Sequence, residues 1–119
     1  MFLAFISGCQ PVFAARRSCP IKMTGKVIAN LKIEVKRTTV IQFPEKPSKT
    51  KPGSNAFHFE YIKNDLAITP LKIPARTNVF VYVGGNRYGF DLQTVWKGGC
   101  DIYEIHPVGE ELIRVDWYE

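Results

Sequence analysis

Side chains with reactive chemistry are few in this sequence: Cys9, Cys19 and Cys100, His58 and His106, and a scatter of carboxylates. Cys9 closes "Ile6-Ser7-Gly8-Cys9", a run that resembles the lipobox of an exported bacterial lipoprotein. Cys9 is therefore a lipidation candidate, and Gln10 after it lacks the Asp that holds such proteins in the inner membrane. "Val12-Phe13-Ala14" offers the small-residue spacing of a signal peptidase I site instead, so residues 1–14 read as a signal peptide or lipoprotein signal region. Either route takes the product out of the cytoplasm and removes Cys9 from the thiol pool. Cys19 and Cys100 then remain, and two cysteines in an oxidising compartment predict one disulfide. It would close a loop of about 80 residues, for which the chain-entropy model gives on the order of 4 kcal/mol.

Metal binding is the rival use of these residues, but two cysteines, His58 and His106 without any CxxC spacing make a poor ligand set. Catalysis fares no better. The chain has no GxSxG, HExxH, P-loop or GxGxxG pattern, and Gly84-Gly85 lacks the spacing that phosphate cradling needs. His58 stands between Phe57 and Phe59, on the opposite face of a strand from those rings, and His106 precedes Pro107 at a strand end. Asp91, Asp101 and Glu104 read as carboxylates solvating strand faces. The expectation is a protein without enzymatic activity, cofactor or small-molecule substrate.

Charge is uneven: residues 1–60 hold ten Lys or Arg against three acids, and residues 61–119 hold six against eight. Lys26, Lys32 and Lys36, with Lys46, Lys49 and Lys51, could form a basic patch. Phe57, Phe59 and Tyr61 alternate as a core face would, however, and not as a base-stacking platform, so no nucleic-acid partner is expected.

The elements that must position these residues repeat with period two. "KVIANLKIEV" sets Val27, Ala29, Leu31, Ile33 and Val35 on one face, and "TTVIQF" follows a turn at Lys36-Arg37. Residues 44–54 read as a flexible Pro, Lys, Ser and Gly loop without an apolar anchor. "AFHFEYI" and "LAITPLKI" flank a turn at Lys63-Asn64-Asp65, and Pro70 suggests an edge strand or a bulge. "NVFVYV" and "RYGFDLQTVW" pair across Gly84-Gly85-Asn86, and "DIYEIHPV" and "ELIRVDWY" supply a last pair. About eight short strands and no helix predict an all-β, antiparallel β-sandwich forming a single domain over residues 15–119.

"TTVIQFPEK" and "NDLAITPLKIPARTNVFVYVGGNRYGFDL" resemble the N-terminal domain of the TrbG/CagX family, periplasmic proteins of the outer-membrane core complex in type IV secretion and conjugation machines. That family's "TTIxFP" strand is matched by Thr38, Thr39, Ile41, Phe43 and Pro44, and its "KPL" strand end by Pro70 and Leu71. Its "TNLxV" strand is matched by Thr77, Asn78, Phe80 and Val81, and "YxFxL" by Tyr88, Phe90 and Leu92. Cys19 and Gly98-Gly99-Cys100 lie outside the pattern. The resemblance implies a β-sandwich that assembles into a ring beside other envelope secretion subunits, here as a single-domain relative with an outer-membrane lipid anchor if Cys9 is modified. An uncharged run, Asn78 to Val83, makes Val79, Phe80, Val81 and Tyr82 candidates for either core or interface. Trp117 and Tyr118 are further interface candidates. A free periplasmic or secreted module binding a peptide or glycan in an aromatic-lined groove is the alternative.

Overall fold

A computed structural model describes residues 17–108. Cys9, the signal region 1–14, Trp117, Tyr118 and the "ELIRVDWY" strand expected around them lie outside the described residues. Nine strands occur among the described residues: β1 (Ser18–Met23), β2 (Ile28–Glu34), β3 (Thr39–Gln42), β4 (Lys49–Pro52), β5 (Phe57–Ile62), β6 (Asp65–Pro70), β7 (Arg76–Val83), β8 (Asn86–Val95) and β9 (Ile102–Pro107). They form two sheets, of order β1-β9-β3-β6-β5 and β2-β8-β7-β4, packed as a sandwich.

The expected hairpin is present. Val83 faces Asn86, so the turn is Gly84-Gly85 alone, with φ of 54° and 83°, the left-handed pair that a two-residue turn between right-twisted strands demands. Lys63 (φ 57°) serves the β5–β6 turn and Lys36 (φ 67°) the β2–β3 turn. Among the described residues only β5–β6 and β7–β8 are hairpins within a sheet; every other connection crosses to the opposite sheet. Crossing strands arrive beside partners running the same way. Hence β1–β9, β3–β9 and β2–β8 are parallel, and the sheets are mixed where the sequence reading had them antiparallel.

Three further expectations are corrected. Lys49–Pro52 within the segment read as a loop is strand β4, paired with β7 from Lys49↔Tyr82 to Pro52↔Val79, and Pro47 beside it is buried. β6 is not an edge: it runs between β3 and β5, and Pro70 is tolerated because it ends the strand. Val27 precedes β2 and is half exposed instead of facing the core.

The core lies between the sheets. Leu31 and Ile33 of β2, Val79, Val81 and Val83 of β7, and Tyr88, Phe90 and Leu92 of β8 meet Ile41, Leu66, Ile68, Tyr103 and Ile105 of the other sheet. Phe43, just past β3, sets its ring 6.1 Å from that of Tyr88 and 6.0 Å, edge-on, from that of Phe90, joining the layers at the geometry aromatic quadrupoles favour.

Candidate interaction surfaces

The two cysteines meet. Cys19 on β1 and Cys100, two residues before β9, form a disulfide with Cα atoms 6.1 Å apart, as the cysteine count predicted. Such a bond suits an oxidising compartment.

Beside it lies a second fastening that the sequence did not reveal. Tyr103 is buried on the inner face of β9, and its hydroxyl crosses to the edge of the other sheet. There it donates to the Lys32 carbonyl at 2.8 Å and accepts the Lys32 N–H at 3.2 Å and the Cys100 N–H at 3.3 Å. β2 is an edge strand, so one phenol occupies backbone groups that an incoming strand would otherwise take. Gly99 covers the next stretch: an added Cβ there would stand 2.7 Å from the Lys32 carbonyl oxygen, so only glycine fits. The Gly99 N–H donates to Glu34 Oε2 at 3.0 Å.

Glu34 also receives Arg17 at 3.5 Å, while Arg37 forks onto both Asp101 carboxylate oxygens at 3.0 and 2.9 Å. Arg17, Arg37 and Asp101 rim a concavity of about 660 Å³ on the five-stranded sheet, whose apolar lining is Val40 and Ile102. Ser18 and Thr38 complete it, and no aromatic side chain lines it. Two guanidinium groups already engaged by carboxylates leave it close to neutral.

Among the described residues, Ser18, Glu104 and His106 form a grouping with a superficial likeness to hydrolytic chemistry. Ser18 Oγ donates to Glu104 Oε2, and His106 Nε2 lies 3.3 Å from Glu104 Oε1. The carboxylate sits between hydroxyl and imidazole, whereas a nucleophilic serine needs the imidazole beside it. Hydrogen bonds from Ser18 first, then His106, hold the Glu104 carboxyl below its ordinary range. Asp91 is likewise lowered, chiefly by its hydrogen bond from Arg76, whose Nη2 is 3.0 Å away. His58 is exposed, on the face opposite Phe57, as its position between two rings suggested. Among the described residues no three His, Cys, Asp or Glu side chains are grouped to hold a metal ion.

The interface candidates divide by strand parity. Val79 and Val81 are fully buried, so they belong to the core and present nothing to a neighbour. Phe80 and Tyr82 point outward from β7, Tyr82 36% exposed. Central position, between β8 and β4, explains the uncharged run. Of the residues that carry the family resemblance, Thr39, Ile41, Phe43, Thr77, Tyr88, Phe90 and Leu92 are buried, Pro70 is half-buried and Asn78 exposed.

The outer face of the four-stranded sheet is the other surface of note. Register sets Lys49, Tyr82 and Arg87 in one row across β4, β7 and β8, and Lys51, Phe80, Gly89 and Ile28 in the next, which reaches β2. Gly89 leaves a gap over which Phe80 and Ile28 lean: an added Cβ would stand 3.0 Å from the Phe80 ring and 3.1 Å from Ile28. The Arg87 guanidinium lies over the same ring, 5.7 Å from its centroid. No protein-family model matches this chain, and no characterised protein matches it in sequence.

Proposed function

We propose that this protein is a structural subunit of a bacterial cell-envelope complex of the type IV secretion or conjugation kind, acting by protein–protein assembly in the periplasm near the outer membrane. The observation that carries this reading is where the residues of the TrbG/CagX resemblance fall. Eight of the fourteen matched positions, Val81 included, are buried inside one sandwich, on β3, β7 and β8 and at Phe43, while Thr38, Pro44, Leu71 and Asn78 are exposed and Pro70 and Phe80 half-buried. A motif that traces one core in this way supports a shared folding unit more than a coincidence of strand patterns does. The Cys19–Cys100 disulfide supports an extracytoplasmic site of action.

On this reading the chain makes and breaks no bonds; exposed faces and edges fix its place in a ring beside copies of itself and other subunits. The second reading, a free module for a peptide or glycan, draws on the concavity beside Arg17 and Arg37, although the aromatic lining it calls for is not there. Affinity capture of the tagged protein from gently solubilised envelopes, with mass spectrometry of what accompanies it, separates the two. Secretion or conjugation subunits recovered in a large particle are the expected result. A clean monomer in the soluble periplasm would remove the assembly role.

A further inference from the structure

The described body and the segment beyond it carry opposite charge. All but two of the 16 Lys and Arg, Arg16 and Arg114, lie within residues 17–108, and four of the 11 acids, Glu110, Glu111, Asp116 and Glu119, lie after it. Residues 17–108 therefore carry a formal +7 and residues 109–119 a formal −3. The acidic segment also holds Trp117 and Tyr118.

The outer face of the four-stranded sheet complements both properties. Tyr82 is flanked by Lys49 and Arg87, and Phe80 by Lys51, so cations and rings alternate across β4, β7 and β8. All three cations are exposed, and among the described residues no carboxylate pairs with them. Ile28, 52% exposed, extends the apolar strip to β2. The acids that this sheet's strands set on the same face are engaged elsewhere, Asp91 by Arg76 and Glu34 by Arg17 and the Gly99 N–H.

The chain leaves the described body at the right end of this face. Val108 donates its N–H to the Met23 carbonyl at 3.0 Å. Two residues on, Gly25 packs against Arg87, where an added Cβ would stand 2.9 Å from the Arg87 carbonyl oxygen. Eleven residues reach at most about 36 Å, and four strands are roughly 15 Å across. We propose that the acidic segment 110–119 docks on the outer face of the four-stranded sheet of its own chain, its carboxylates on Lys49, Lys51 and Arg87 and its aromatic residues against Phe80 and Tyr82. The inference stands apart from the secretion reading, since it concerns a contact within one chain.

Zero-length carbodiimide coupling of the chain through Glu119, followed by peptide mass spectrometry of the monomer fraction, tests it. Links from Lys49 and Lys51 to Glu110, Glu111 or Asp116 are expected, lost in high salt and reduced in Tyr82→Ala, whose exposed ring is not needed for the core. In a second measurement, neutralising the segment (Glu110→Gln, Glu111→Gln, Asp116→Asn) should shift the amide resonances of Phe80, Tyr82 and Gly89 and leave those of the five-stranded sheet in place. Links spread equally over Lys63, Lys72 and Lys97 would overturn the proposal. So would links found only in covalent dimers, which would assign the face to a second copy, or unmoved amides on β7 and β8.

Discussion

Glu104 shows what single residues do here. Its carboxyl is held below its ordinary value of 4.5 by the Ser18 hydroxyl and then by His106. A carboxyl lowered in the folded state contributes stability that is present above its unfolded pKa and lost as pH falls through the folded one. Stability measured by urea unfolding should therefore decline as the medium is acidified below the ordinary carboxylate range, and Glu104→Gln should lower the neutral plateau and flatten that decline, the two proteins converging at low pH. Ser18→Ala should move the Glu104 titration, followed by side-chain NMR, back toward its ordinary value. Ser18 and Glu104 are 86 residues apart. Nothing in the sequence joins them; the parallel pairing of β1 with β9 does, and that pairing has no local signature.

Among elements, β2 depends most on what is brought to it from elsewhere. Its free edge is met by the Tyr103 hydroxyl and by Gly99. Tyr103→Phe keeps the buried ring but leaves the part-buried Lys32 amide and carbonyl without that partner, at a cost of about 0.5–1.5 kcal/mol, the net worth of a typical hydrogen bond. Urea unfolding should report that loss, and hydrogen exchange at the Lys32 amide should accelerate. The strands that the sequence announced were those whose alternation feeds the core: Leu31 and Ile33, or Val79 and Val81 opposite Tyr88 and Phe90 across two glycines. β4 escaped because "KTKP" has no apolar residue; as an edge strand it needs only backbone pairing, and its lysines discourage further pairing outside. Tyr103 as a fastening escaped because a strand tyrosine at a core position reads as packing, and where its hydroxyl ends up depends on the opposite sheet.

For the whole molecule the Cys19–Cys100 bond is the long-range constraint, spanning 81 residues. Cys19→Ser should lower stability under oxidising conditions by on the order of 4 kcal/mol, read as a reduced melting temperature, and reductant should bring the parent protein to the same value. An unchanged melting temperature would remove the bond from the account of stability. The parallel β1–β9 pair has a mechanical consequence as well. Residues Ser18 and Pro107 stand at opposite ends of two strands lying side by side, so tension applied through them loads that pair lengthwise, all its hydrogen bonds at once, instead of peeling them singly. The sulfur bridge then shortens the path the load can follow: from Cys19 straight to Cys100 and out along β9, itself gripped by β1 and β3. The residues between the cysteines are bypassed, and a pull that would unravel an unbridged sandwich meets a short, inextensible link.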